Sequence, residues 1–483
     1  MPGIILLGLG PGAPDQITRE AWGFLASASD VWLRTRQHPA IAHLPPTVTV
    51  HSFDDVYEHG ESFEAVYSTI VQKVLQLGRQ PEGVIYAVPG HPLVAETTGP
   101  ELLRRAASEG LPVRVVGGVS FLEPTFSALG IDPFPRLTLY DALTLGQAHV
   151  PLFPPDAPAL IAQLYSRLVA AEVKVVLNST YPDEHKVFLV HAAGTELQRV
   201  EELALYQIDR SEHIGALTCL FLPPLEHGTS LEALQEVVAH LRAPEGCPWD
   251  REQTHASLRR HLLEESYEAM AAMDTGVAGD MREEFGDLLL QIMLNSQIAG
   301  ELGEFTLNDV SKGIHDKIVR RHPHVFGGLK LEGVENVLTN WERLKETERD
   351  TEGASGGLLE GVPLALPALS QAQEYQDRAA RVGFDWPEVQ GVLDKVAEEV
   401  SEVQAAAGAN ELTRELGDLL FALVNLSRWK GIDAESALRA SNLRFKKRFG
   451  LMGQAARHLD QRLSNLTLGE MQTLWEQAKA SEG

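Results

Sequence analysis

Apolar and polar positions follow two different rhythms along the chain. Up to about residue 224, short apolar runs alternate with amphipathic stretches. Ile4-Ile5-Leu6-Leu7, Val31-Trp32-Leu33, Val84-Ile85-Tyr86-Ala87-Val88 and Val113-Arg114-Val115-Val116 predict strands. Thr18 to Ala28, Pro100 to Ser108 and Phe121 to Leu129 predict helices, the last closed by Gly130. Strand alternating with helix predicts a parallel α/β sheet. In a second lobe, Val173-Lys174-Val175-Val176-Leu177 and Leu217 to Leu222 read as the clearest strands. Pro151 to Pro158 reads as a proline-dense loop, and Tyr181-Pro182-Asp183 as a turn after a strand. From residue 231 onward the strand pattern stops and helical periodicity takes over. The expected architecture is multidomain. A two-lobed α/β domain spans 3–224, with lobes at about 3–130 and 131–224, and a linker follows at 225–230. Tandem all-α bundles at 231–350 and 358–483 flank a second linker at 351–357.

Three of the predicted strands stop at Gly8-Leu9-Gly10-Pro11-Gly12, Pro89-Gly90-His91-Pro92 and Gly117-Gly118-Val119-Ser120. Glycine lets backbone approach a ligand closely, and open α/β sheets bind ligands at the carboxyl ends of strands. The three turns are expected to line one cleft, although a tight turn without a ligand has the same pattern.

The helical half carries a doubled acidic pattern. Leu262-Leu263-Glu264-Glu265-Ser266-Tyr267-Glu268 precedes Arg282-Glu283-Glu284-Phe285-Gly286-Asp287-Leu288. Val396-Ala397-Glu398-Glu399-Val400-Ser401-Glu402 precedes Arg414-Glu415-Leu416-Gly417-Asp418-Leu419. Glu268 and Glu284 lie 16 apart, and Glu402 and Glu415 lie 13 apart. Residues three apart share a helix face, so Glu265 and Glu268 point together, as do Glu284 and Asp287. Glu399 with Glu402 and Glu415 with Asp418 repeat this. Two such helices packed together gather four carboxylates, which cannot all stay ionised without a counter-ion. A hard, oxygen-preferring cation such as Mg2+ resolves the conflict, and these eight acids are the candidate ligands. Basic i,i+4 pairs follow in each copy, Lys317/Arg321 and Arg444/Arg448. Then come Trp341-Glu342-Arg343-Leu344-Lys345 and Trp475-Glu476-Gln477-Ala478-Lys479.

The EExxE and ExxD patterns resemble the MazG family of all-α nucleoside triphosphate pyrophosphohydrolases. So do the runs Cys247-Pro248-Trp249-Asp250, Arg320-Arg321-His322-Pro323-His324-Val325-Phe326 and Val382-Gly383-Phe384-Asp385-Trp386. The resemblance runs from about Leu231 to the C-terminus. It implies Mg2+-dependent hydrolysis of a nucleoside triphosphate to monophosphate and pyrophosphate, in nucleotide-pool house-cleaning. It also implies a homodimer, though two repeats could instead pack on each other within one chain. Glu264 and Glu398 are expected to orient the attacking water or complete the ligand set. Lys317, Arg321, Arg444 and Arg448, with Lys345 and Lys479, are expected to hold the phosphate tail. Solvated surface is the ordinary alternative for these. Trp341 and Trp475 could stack on a base or sit in a core. Lys395 precedes Glu398 by three, where the first copy has His261. A constant cation there suits a triphosphate, so the second copy is expected to be at least as active.

The first half resembles the tetrapyrrole methylase family, whose members bind S-adenosylmethionine between two α/β lobes. The matching positions are Gly8, Gly10, Pro11, Gly12, Pro89, Gly90, Pro92, Val119 and Ser120. His91 stands where active methylases carry an aspartate, which favours ligand contact over catalysis for this residue. The fusion of the two modules resembles YabN-type proteins. Methylation of a tetrapyrrole with a regulatory helical half, or a first half that only senses an adenosyl compound, are the rival functions. A di-iron bundle is excluded, because its Glu-x-x-His motifs are missing.

A formal charge of −26 disfavours binding to DNA or RNA duplexes and to acidic membrane surfaces. No apolar run reaches the length of a membrane span, and no basic segment precedes the first apolar residues as a signal peptide would require. Two cysteines, Cys219 and Cys247, exclude a disulfide framework and fit a reducing cytoplasm.

Overall fold

The structure is a computed structural model that describes residues 3–60, 62–334, 336–337, 340–341, 344, 357–459 and 461–481. The chain divides into two compact units, Met1–Glu252 and Gln253–Gly483. No helix among the described residues is long and apolar enough to cross a membrane.

In the first lobe, β1 (Ile4–Gly8), β2 (Asp30–Leu33), β3 (Thr49–Ser52), β4 (Val84–Val88) and β5 (Val113–Val116) form an all-parallel sheet ordered β3-β2-β4-β1-β5. The longer helices are α1 (Arg19–Ser27), α2 (Phe63–Gly78), α3 (Thr98–Ser108) and α4 (Leu122–Leu129), with one short helical turn at Asp54–His59. Side chains alternate across β1. Ile4 and Leu6 join Val66, Ile70 and Leu102 in one core, while Leu7 and Leu9 join Ala21 and Leu25 in another. Thr18 and Ser62 cap α1 and α2, and Gly130 ends α4 in the left-handed conformation at φ 65°.

The second lobe is a mixed sheet of β6 (Thr138–Asp141), β7 (Ala159–Ala162), β8 (Lys186–His191), β9 (Arg199–Ala204) and β10 (Thr218–Leu222), ordered β6-β7-β10-β8-β9. Val173–Leu177 is not a strand. It is the end of helix α5 (Arg167–Leu177), which Ser166 caps. The β-branched run suggested a strand, but the wider window buries Val169, Ala170, Val173, Val176 and Leu177 at helical spacing. Tyr181-Pro182-Asp183 accordingly follows a helix, and Tyr181 is buried in that lobe's core.

Residues 231–242, expected to open the first helical repeat, form α6 (Leu231–Arg242) within the first unit. The second unit is helical. Its first repeat comprises α7 (His255–Thr275), α8 (Ala278–Leu302) and α9 (Leu307–Arg321). Its second comprises α10 (Ala368–Arg381), α11 (Val389–Ala405), α12 (Ala409–Trp429), α13 (Ala434–His458) and α14 (Leu468–Ala480). The pairs α7/α8 and α11/α12 make the most extensive helix contacts of each repeat. Gly276, left-handed at φ 70°, turns α7 directly into α8. Helix α9 buries no residue, although Val310, Ile314 and Ile318 line up along it and stand exposed.

Candidate functional site

The two helix pairs place the acids as their spacing predicts. On α7 and α8, Glu265, Glu268 and Glu284 each offer a carboxylate oxygen within 4.8 Å of the others. Asp287 acts electrostatically on both Glu265 and Glu284. Burial, then the charges of Asp287, Glu268, Glu284 and Glu264, pushes the Glu265 carboxyl above its usual range. Glu284 is raised by burial and by Glu268, Asp287 and Glu283. Among the described residues, no Lys or Arg pairs with Glu265, Glu268, Glu284 or Asp287. Nearby, His261 Nδ1 lies 4.0 Å from Glu264.

On α11 and α12, Glu399, Glu415 and Asp418 form the corresponding group, again within 4.8 Å. Glu402 lies close enough that burial and the charges of Glu399 and Glu415 raise its carboxyl. This group already holds cations. Lys395 Nζ reaches Glu399 at 2.8 Å and Glu398 at 3.1 Å, and Arg414 reaches Glu415 at 2.5 Å. Glu399 and Glu415 are only 4% and 5% exposed, yet Glu399 Oε2 has no hydrogen-bond partner. An all-carboxylate set with a buried, unpartnered oxygen suits a hard divalent cation. Arg414 was missed as a site residue. Its signal was position: it stands immediately before the first acid of ExxD, where the first repeat has Glu283.

The basic and aromatic candidates also repeat. The Arg321 guanidinium lies 5.9 Å from the Trp341 ring, and that of Arg448 lies 5.6 Å from the Trp475 ring. Lys317 is an exposed residue of α9. Arg444 bonds to Ser441 Oγ on its own helix, and Lys479 pairs with Glu476 at 2.6 Å. Trp475 packs beside a small core of Met452, Ala456, Leu474 and Ala478. Lys345 and linker residues 351–356 lie outside the described residues.

In the α/β unit the three turns converge, because β4, β1 and β5 are adjacent and parallel. Gly10 and Gly90 exchange two backbone hydrogen bonds, of 2.7 and 3.2 Å. A Cβ on Gly8 would lie 2.5 Å from the Gly90 carbonyl and 2.7 Å from the Gly118 nitrogen, so only glycine allows this approach. Pro11, Gly12 and Pro92 are buried, and Pro89 and Val119 partly so. Ser120 is buried and donates from Oγ to Glu123 at 2.5 Å. His91 Nδ1 accepts from the Leu93 N–H at 3.1 Å, which leaves Nε2 on the side of Gly117. Two residues here were not anticipated. His38, 6% exposed, makes at most a strained hydrogen bond to the Gly10 backbone and has no other partner at either ring nitrogen; burial pushes its pKa down against that contact. Gln16 Oε1, buried and unpartnered, faces Gly194 of the second lobe. Neither belongs to a glycine turn motif, so only the fold reveals them.

The two acid groups should respond oppositely to neutralisation. Glu284→Gln removes a repelling charge, so without metal the thermal midpoint rises by about 2 °C at neutral pH. A raised folded-state carboxyl costs stability above its pKa and is relieved as pH falls through it, so this gain vanishes in acid. Glu399→Gln takes one of two carboxylate partners from Lys395, which keeps Glu398, and lowers stability by up to about 1 kcal/mol. Thermal unfolding of both variants across pH, with chelator present, checks the pair.

Residues 3–209 match the Tetrapyrrole (Corrin/Porphyrin) Methylases family. Residues 253–326 match the MazG nucleotide pyrophosphohydrolase domain, and 368–444 match Phosphoribosyl-ATP pyrophosphohydrolase. The Bacillus subtilis protein YabN, described as uncharacterized, is 41% identical over 99% of both chains. The Thermotoga maritima nucleoside triphosphate pyrophosphohydrolase/pyrophosphatase MazG is 42% identical over 53% of this chain and 98% of its own. The Escherichia coli nucleoside triphosphate pyrophosphohydrolase is 43% identical over 52% of this chain and 98% of its own. The chain therefore belongs to the YabN family, in which a tetrapyrrole-methylase domain is joined to a MazG helical half.

Proposed function

We propose that the helical half is a Mg2+-dependent nucleoside triphosphate pyrophosphohydrolase. The observation that carries this is the pair of carboxylate groups, one on α7/α8 and one on α11/α12, each within 4.8 Å. The relatives that span this half are named for the same activity. Glu265, Glu268, Glu284 and Asp287 would hold the cation in the first repeat, and Glu399, Glu402, Glu415 and Asp418 in the second. When bound, the cation supplies charge neutralisation for the phosphates and a more acidic water. The chain's own residues do the rest. Glu264 or Glu398 orients the water and takes its proton. The bond between the α- and β-phosphates breaks, one water is consumed, and monophosphate and pyrophosphate leave. Lys395, Arg444, Arg448 and Lys479 in the second repeat, and Lys317, Arg321 and Lys345 in the first, hold the phosphate tail. Trp341 and Trp475, each with an arginine over its ring at 5.9 and 5.6 Å, offer a face to a base. Such a pocket suits nucleotide-pool cleansing in a reducing cytoplasm, in keeping with two free thiols.

The cleft between the α/β lobes binds S-adenosylmethionine. The under-satisfied His38 ring and the unpartnered Gln16 Oε1 beside the Gly10 turn suit a polar ligand. His91 in place of a fixed carboxylate favours sensing over methyl transfer to a tetrapyrrole. The exposed Val310, Ile314 and Ile318 stripe is covered by a second copy of the chain.

Pyrophosphate release from canonical and modified triphosphates tests the first reading. The Glu268→Gln/Glu402→Gln double variant is expected to be inactive, with most of the loss already present in Glu402→Gln; an active double variant removes the metal assignment. Labelled S-adenosylmethionine is expected to bind, about tenfold more weakly in His38→Leu. No label should pass to a tetrapyrrole precursor; label on the precursor would instead establish a methyltransferase. Sedimentation equilibrium should give a dimer that Ile314→Glu disrupts, and a wild-type monomer would refute it.

A further inference from the structure

The two acid groups share one geometry and differ in their cations. Lys395 lies four residues before Glu399, and its counterpart four before Glu265 is His261. Arg414 lies one before Glu415, and its counterpart one before Glu284 is Glu283. Both differences make the second group more positive, and both cations are engaged with buried acids, at 2.8 and 2.5 Å. In the first group, Glu283 instead adds to the repulsion on Glu284. The free oxygen of Glu399, buried and without a partner, shows that the internal cations do not satisfy the second group completely. A cation entering there must displace an ion pair whose partners are already desolvated on one side.

We propose that the two repeats acquire their divalent cation differently: the first binds it free, whereas in the second Lys395 and Arg414 occupy its charge and yield it only when a triphosphate arrives to receive them. This rests on the carboxylate groups being the metal sites. Charge is conserved through the exchange. The cation replaces the ammonium and guanidinium at the acids, and these swing to the polyphosphate, whose negative charge they match. Lys395 is thus a positioning residue for metal entry before it is a phosphate contact. The second repeat would ignore free cation and respond only to the cation–nucleotide complex.

Mn2+ serves as the probe, followed by electron paramagnetic resonance on the full chain with and without an α,β-methylene nucleoside triphosphate. Wild type should bind one tight Mn2+ without nucleotide, lost in Glu268→Gln and kept in Glu402→Gln. A second Mn2+ should appear with nucleotide and be lost in Glu402→Gln. Lys395→Met should let the second site take Mn2+ without nucleotide, at least about tenfold more tightly than wild type. His261→Lys, a change at a half-buried position of α7, should weaken the first site by about tenfold. It provides the reciprocal test should Lys395→Met not fold. A second site unchanged in folded Lys395→Met, or a first site unchanged in His261→Lys, overturns the exchange. Mn2+ binding that survives both acid variants overturns the carboxylate assignment itself, and the inference with it.

Discussion

Repulsion between like charges governs the helical half. Each repeat spends two of its longest helices on bringing carboxylates within a few ångströms, an arrangement that a helix pair built only for stability would avoid. In the first repeat the conflict is left open, and burial adds to it, so the Glu265 and Glu284 carboxyls are raised above their usual range. In the second, part of the conflict is closed by Lys395 and Arg414. A site that is costly without its ligand is a site poised to bind one.

The α/β unit brings its three turns together by the opposite means, through absence of side chains. Gly8, Gly10, Gly90 and Gly118 let three strand ends touch through backbone alone, and the Gly10–Gly90 exchange locks the turns together. Around this rigid seam stand under-satisfied polar groups, His38 and Gln16. The two units thus differ in what they leave incomplete, one of them charge neutrality and the other hydrogen bonding.

Much of this was legible in the sequence, for identifiable reasons. The central strands β1 and β4 were plain because both faces of a parallel sheet are buried and leave unbroken apolar runs, while edge strand β5 was read from its valines despite the exposed Arg114. The acids were plain because helical spacing fixes which residues share a face. Val173–Leu177 misled because five residues rich in valine do not distinguish a strand from the buried stripe of a helix. His38 and Gln16 were invisible because their role depends on contacts made across the fold. Arg414 could have been found by aligning the two repeats, since it reverses the charge of Glu283.

In both repeats a guanidinium faces an indole, Arg321 toward Trp341 at 5.9 Å and Arg448 toward Trp475 at 5.6 Å. Each indole thus tethers a charge that would otherwise roam on a long side chain, and fixes where that charge waits.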